Sequence, residues 1–296
     1  MNTEGSDKPA MIGIFDSGLG GLTVLRALQD RFADLDFLYL GDHANVPYGN
    51  RPSDQVVELT RLGVEALFER GAHLVLLGCN TATAVAARRL QQNWLPGAGW
   101  DGRNVIGIVA PTVEAATQTP WAVTTPQYPQ KFNSDRVAVF GTTRTITSGV
   151  YVEEIRKRCP RVAVFQQICA HLAGAIEDDV ALDELEGLVR DCVQAMMAQM
   201  DGHPPDRAIL GCTHFPLVEP LFRKHLPPGT RILSQPQIVS DSLVDYLDRH
   251  PHYTDTTPHQ SRTRVQLLTT GDAGEINARA AIFWPDAPRF SRCQIR

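Results

Sequence analysis

The chain has 296 residues, 43% of them hydrophobic, and a net charge of −5. That length supports a sizeable core and, as a prior, two domains of about 100–200 residues each. The acidic balance and the lack of a long basic run exclude nucleic acid or an anionic membrane as the partner favoured by electrostatics. No apolar run approaches the roughly 20 residues that a bilayer-spanning helix needs. Residues 1–9 are polar, carry both charge signs and have no apolar centre like that of a secretion signal. The expectation is a cytoplasmic protein whose six cysteines persist as thiols. None of the six forms a Cys-x-x-Cys pair, so no metal site is expected.

In chain order, short runs rich in Val, Ile and Leu predict buried strands at residues 11–15, 37–40, 74–78, 105–109, 136–140, 162–166, 208–211, 231–233 and 265–268. Helical stretches lie between them at 22–32, 53–70, 81–92, 147–158, 182–200 and 237–249, with a short one near 273–283. Regular alternation of strand and helix predicts an α/β protein with parallel sheets. Strands that are apolar throughout fit sheets covered on both faces. Residues 91–104 and 117–135 are rich in Gly, Pro, Asn and Trp and read as loops. The two ends, 1–10 and 286–296, read as irregular.

The joins after the strands carry the chemistry, because ligands of open α/β sheets gather at the carboxyl ends of strands. Four joins are rich in small polar residues: Asp16-Ser17-Gly18, Cys79-Asn80-Thr81, Gly141-Thr142-Thr143 and Cys212-Thr213-His214. They form two sets, which suggests two similar parallel-sheet α/β domains facing each other with the active site between them. Cys79 and Cys212 each end a Leu-Gly-Cys run. Asn80 and Thr81 fit an N-cap, and a thiol at a helix N-terminus has its pKa lowered toward thiolate. The same reasoning is applied to Cys212. Each cysteine taken singly reads first as a small buried core residue. The repeated polar context argues for chemistry, since packing gives no reason to repeat it.

His214 could be the proton partner of Cys212 or a hydrogen-bonded structural histidine. Asp16 could serve the site or cap a turn. The run Gly18-Leu19-Gly20-Gly21 lacks dinucleotide-loop spacing, and Asp16 would repel phosphates. Backbone N–H groups at these helix starts suit a carboxylate instead. Pro47-Tyr48-Gly49 is a turn carrying an aromatic hydroxyl.

These residues resemble a known family. Asp16-Ser17-Gly18 with Gly20-Gly21, Pro47-Tyr48-Gly49, Cys79-Asn80-Thr81-Ala82, Thr142-x-x-Thr145 and Gly211-Cys212-Thr213-His214-Phe215-Pro216 follow the order found in bacterial glutamate racemases, and Thr270-Gly271-Asp272 looks like the family's late strand motif. The similarity runs from about residue 11 to 283. Within the wider aspartate/glutamate racemase superfamily, histidine after Cys-Thr resembles the glutamate branch.

The resemblance implies interconversion of L- and D-glutamate for peptidoglycan, without pyridoxal phosphate or metal. Cys79 and Cys212 would be the two bases, with Asp16 helping Cys79 and His214 helping Cys212. The substrate ligands it implies are Asp16, Ser17, Pro47, Tyr48, Gly49, Cys79, Asn80, Thr81, Thr142, Thr145, Cys212, Thr213 and His214. Glu177 matches a family glutamate near the substrate ammonium, although the family's Cys-Pro and a later proline are Cys169-Ala170 and Gly174 here. The expected partner is the small molecule glutamate, and a homodimer is compatible with the family.

The family's chain path implies a first domain of residues 11–113 plus 231–285 and a second of 114–230. The alternatives are a racemase, isomerase or decarboxylase of the superfamily acting on another acidic substrate, or a glutamate-binding regulator without turnover.

Overall fold

The computed structural model describes residues 11–254 and 264–295; the expected irregular stretch 1–10 lies outside them. The chain runs β1 (Met11–Asp16), α1 (Leu22–Arg31), β2 (Asp36–Gly41), α2 (Ser53–Glu69), β3 (Leu74–Leu77), α3 (Asn80–Arg89), β4 (Asn104–Gly107) and α4 (Val109–Thr117). A second set follows: β5 (Arg136–Gly141), α5 (Thr143–Thr147), α6 (Val150–Arg158), β6 (Ala163–Ile168), α7 (Leu172–Glu177), α8 (Leu182–Gln199), β7 (Arg207–Gly211), α9 (Glu219–His225) and β8 (Arg231–Leu233). The chain then closes with α10 (Gln235–Arg249), β9 (Val265–Thr269), α11 (Ala273–Phe283) and β10 (Phe290–Arg292).

The strands form two sheets, ordered β10-β9-β2-β1-β3-β4 and β6-β5-β7-β8, and every strand pairing is parallel. The nine expected strands are all present, with bounds shifted by at most two residues.

Several expectations need correction. Residues 231–233 pair with β7, so they belong to the second sheet and the chain returns to the first only after Leu233. The terminus expected to be irregular contains β10, which extends the first sheet by pairing with β9. The helix expected at 147–158 starts at Val150, because Gly149 takes a left-handed conformation (φ 70°) there, and Thr147 instead ends the short preceding α5. Helix α4 fills the stretch between the strand expected at 105–109 and the loop expected at 117–135, for which the sequence predicts no element.

Both sheets change winding direction at their middle. In the first, β2 lies on one side of β1 and β3 on the other; in the second, β6 and β7 flank β5 in the same way. Such reversals open a crevice at the strands' carboxyl ends. The four polar joins follow β1, β3, β5 and β7, the strands that border the two crevices. One buried apolar cluster joins the sheets, running from Ile12 and Tyr39 to Phe140, Leu210, Phe215 and Phe222. Burial of that kind contributes about 1.5–3 kcal/mol for each large side chain. It fixes how one crevice faces the other.

β1 is held from behind by α2. Its Phe15 ring, fully buried, lies where a Cβ on Gly63 would fall, 2.0 Å from ring carbon Cε2. Substituting Gly63→Val must displace that ring and should destabilise the fold by about 1–3 kcal/mol. Urea denaturation checks this, and an unchanged midpoint would contradict the packing described.

Candidate active site

Cys79 and Cys212 line the same cavity, of about 120 Å³, between the two crevices. It is smaller than the roughly 300–1,000 Å³ of drug-sized pockets and suits a compact metabolite. Each thiol is buried, at 6% exposure.

Cys79 follows β3 and is itself the N-cap of α3, with Sγ accepting the Ala82 N–H at 3.5 Å. The cap expected at Asn80 and Thr81 therefore falls one residue earlier, on the thiol. Ser17 Oγ lies 3.3 Å from Sγ. The expected lowering of this thiol's pKa is not what the structure gives. Burial pushes it up to about 12 and the Asp16 carboxylate adds to the rise, against smaller lowering by the Ser17 hydroxyl and the Ala82 N–H. One hydroxyl and one helix N–H do not offset the loss of water.

Asp16, at the end of β1, is 1% exposed. Its carboxylate accepts the N–H groups of Ser17 (2.9 Å) and Gly21 (2.7 Å) and the Tyr39 hydroxyl (3.0 Å). Three donors fix its orientation and hold the glycine turn in place. That turn must lack a side chain at Gly20, where a Cβ would come within 2.4 Å of Thr213 Oγ1 and 2.5 Å of His214 Nδ1. The two halves meet there backbone against side chain.

Cys212 follows β7, but the next element is a short 3₁₀ turn at Phe215–Val218, so the helix-terminus reasoning transferred from Cys79 does not apply. Its partner is His214, whose Nδ1 lies 3.6 Å from Sγ. His214 Nε2 meets Glu177 Oε1 at 2.6 Å, which gives a continuous line from Sγ through imidazole to carboxylate. Burial by itself would lower the His214 pKa. The charge and hydrogen bond that the Cys212 sulfur offers as a thiolate, followed by those of the Glu177 carboxylate, outweigh it, and the histidine is raised well above its ordinary value. Burial likewise acts to raise Glu177, yet the His214 hydrogen bond and charge hold it low.

The remaining expected residues divide by position. Ser17, Pro47, Tyr48, Gly49, Asn80, Thr81, Thr142, Glu177 and Thr213 line the cavity, together with Asp16 and His214. Thr145 is fully buried behind the wall and is not among its lining residues. It joins Thr81 (3.3 Å) and Thr142 (3.1 Å), which themselves meet at 3.0 Å, so three hydroxyls bridge the two sheets. The Tyr48 hydroxyl is taken up by Asp42 Oδ2 at 2.6 Å. Thr270 also donates to Asp42, and Asp272 caps α11, so the late motif supports the fold from behind the site.

Among the described residues, no group of three or more His, Cys, Asp or Glu could hold a metal ion. No helix among them is long and apolar enough to cross a membrane.

A sequence profile described as Asp/Glu/Hydantoin racemase matches residues 26–239. The chain belongs to that family. Within it, the chain is 50% identical over 277 residues to the glutamate racemase of Phenylobacterium zucineum (strain HLK1), covering 92% of this chain and 96% of that one. It is 48% identical over 283 residues to the glutamate racemase of Caulobacter sp. (strain K31), covering 94% and 98%. The fold is similar to the glutamate racemase from Thermus thermophilus in complex with beta-chloro-D-alanine, with TM-score 0.74, 27% identity and 98% coverage of both chains. A glutamate racemase isoform from Bacillus anthracis superposes with TM-score 0.80 over 97% of this chain and 98% of that one, at 24% identity, and speaks for the fold alone.

Sequence reading missed the residues that hold the racemase-family motifs from behind. Tyr39, Asp42, Tyr151 and Gln235 are buried and bonded to site residues. Each stands alone in its stretch of sequence, and only tertiary contact gives it a role.

The His214–Glu177 pair makes a pH prediction. A raised histidine stabilises the fold fully below its ordinary value of about 6.5, and that contribution is lost as pH rises through the raised value. A depressed carboxylate contributes above about 4.5 and is lost as pH falls through its lowered value. Both contributions are complete between those values. In Glu177→Gln, the His214 Cε1 resonance should titrate at lower pH than in the wild type by NMR, and an unmoved midpoint would show that Glu177 does not support the imidazolium.

Proposed function

We propose that this racemase-family member interconverts L- and D-glutamate by two-base proton transfer, with Cys79 and Cys212 on opposite sides of the substrate Cα. The observation that carries this reading is that one small cavity is lined by two buried thiols, one from each sheet. The 50% identical glutamate racemase supports glutamate as the substrate.

The surroundings of the two thiols suit opposite protonation states, as general acid–base catalysis requires. Cys79, pushed up to about 12, keeps its proton at neutral pH. Cys212 lies beside a histidine raised well above its ordinary value, the counter-charge a thiolate needs. In that state the Cys212 thiolate takes the α-hydrogen as a proton, and the C–H electron pair stays on the substrate as a carbanion delocalised into its carboxylate. The Cys79 S–H bond then gives its proton to the other face of Cα. The thiols end with exchanged protonation, ready for the reverse direction.

Hydroxyls of Ser17, Thr81, Thr142 and Thr213, with N–H groups at the start of α3, are the donors we assign to the substrate carboxylates. Asp16 and Glu177 are the acidic groups assigned to the ammonium side. No lysine, the residue that holds pyridoxal phosphate as a Schiff base, lines the cavity, and the thiols suffice for the chemistry without a cofactor. We also read the two sheets as two domains, a cytoplasmic location, and a role in supplying D-glutamate for peptidoglycan.

Polarimetry of L-glutamate with the purified protein, without added pyridoxal phosphate, should show decay to zero rotation. Cys79→Ala and Cys212→Ala should each lower the rate by at least about 10³-fold. Unchanged rotation with the wild type would refute the proposal, and retained turnover in either variant would refute the two-thiol assignment.

A further inference from the structure

A buried polar cluster lies directly behind the Cys79 turn and has no part in the chemistry above. Gln235, the first residue of α10, is fully buried at the point where the chain returns from the second sheet. Its Oε1 accepts from Asn80 Nδ2 at 2.6 Å. Its Nε2 lies 2.9 Å from Thr112 Oγ1, 3.1 Å from Asn80 Oδ1 and 3.2 Å from the Tyr151 hydroxyl. Tyr151, on α6 and fully buried, donates to Asn80 Oδ1 at 2.7 Å. The Asn80 amide is thus held at both ends, by α10 from one side and α6 from the other. A side chain so engaged has its amide committed to the protein, although Asn80 borders the cavity.

We infer that Gln235 and Tyr151 are positioning residues for Cys79, acting through Asn80. Asn80 is the first residue of α3, and Cys79 caps that helix through the Ala82 N–H. Clamping the Asn80 side chain pins the first turn of α3 and with it the direction of the Cys79 S–H bond. The Tyr151 ring also packs against Gly211, beside Cys212, a contact that Tyr151→Phe keeps; the hydrogen-bonded support of Cys212 comes through His214 and Glu177. Proton transfer is sensitive to displacements of the order of an ångström, so loosening Asn80 should slow one of the two transfers.

This inference rests on the two-thiol reading, and kinetic isotope effects test it separately. Slowing the Cys79 transfer makes it more rate-limiting in both directions. α-Deuterated glutamate then shows a larger primary isotope effect on kcat/KM for the enantiomer that Cys79 deprotonates. The effect becomes smaller for the other enantiomer, whose label is removed by Cys212. Loss of general stability alone would shift neither.

Tyr151→Phe removes one hydroxyl and is the variant expected to fold; Gln235→Met removes the clamp's centre. Each should lower kcat/KM, by about 10-fold for Gln235→Met, one buried hydrogen bond's equivalent. Isotope effects should move in opposite senses for the two enantiomers, and Glu177→Gln should produce the mirror-image pattern. Unchanged or equally shifted isotope effects in active Tyr151→Phe overturn the inference while leaving the racemase reading intact. The same asymmetry in Glu177→Gln as in Tyr151→Phe also overturns it. A wild type without glutamate racemisation removes both.

Discussion

A thiol taken out of water clings to its proton, and a base at Cα must be able to give its proton up. Both cysteines are 6% exposed, and burial with the nearby Asp16 carboxylate holds Cys79 at about 12. This conflict between a dry site and an ionised sulfur sets what surrounds each thiol. On the Cys212 side it is met by a histidine that keeps its own charge through the Cys212 sulfur on one side and Glu177 on the other. On the Cys79 side a hydroxyl and one helix N–H reach the sulfur. The two solutions differ, and the difference lets one thiol donate while the other accepts.

The fold answers a geometric demand as well. A single open sheet has one crevice where its winding reverses, and a group there reaches a ligand from one side. Two sheets whose crevices face each other reach it from both. The rigid relation between them comes from the shared apolar cluster, the threonine triad of Thr81, Thr142 and Thr145, and the bare backbone at Gly20 against Thr213 and His214. Gln235, at the crossing between the halves, ties the same junction to Asn80.

Much of this was legible in the sequence, for physical reasons. Buried parallel strands are continuous apolar runs, so residues 11–15 and 136–140 announce themselves. The polar triplets after them have no packing purpose and mark the site. β10 was not legible because Phe290-Ser291-Arg292 is a three-residue edge strand with two exposed side chains. Helices α5 and α7 are five and six residues long, too short for a periodic signal. The helix N-terminus was visible at Cys79, but the outcome of dipole against burial depends on desolvation, which sequence does not display. At Cys212 the same Leu-Gly-Cys run leads into a short 3₁₀ turn, because Pro216 follows so closely. The proton partner His214 was readable because it is local, whereas Tyr39, Tyr151 and Gln235 reach the site from distant segments.

The central claim is that two different groups handle the proton on the two faces of Cα. The most direct measurement is isotope incorporation from D₂O, followed by mass spectrometry of the separated enantiomers at low conversion from L-glutamate. Two thiols predict that the D-glutamate formed carries deuterium at Cα while the remaining L-glutamate keeps its protium. Deuterium appearing in the L-glutamate pool as fast as in the product would mean that one exchanging base serves both faces, and would contradict the account.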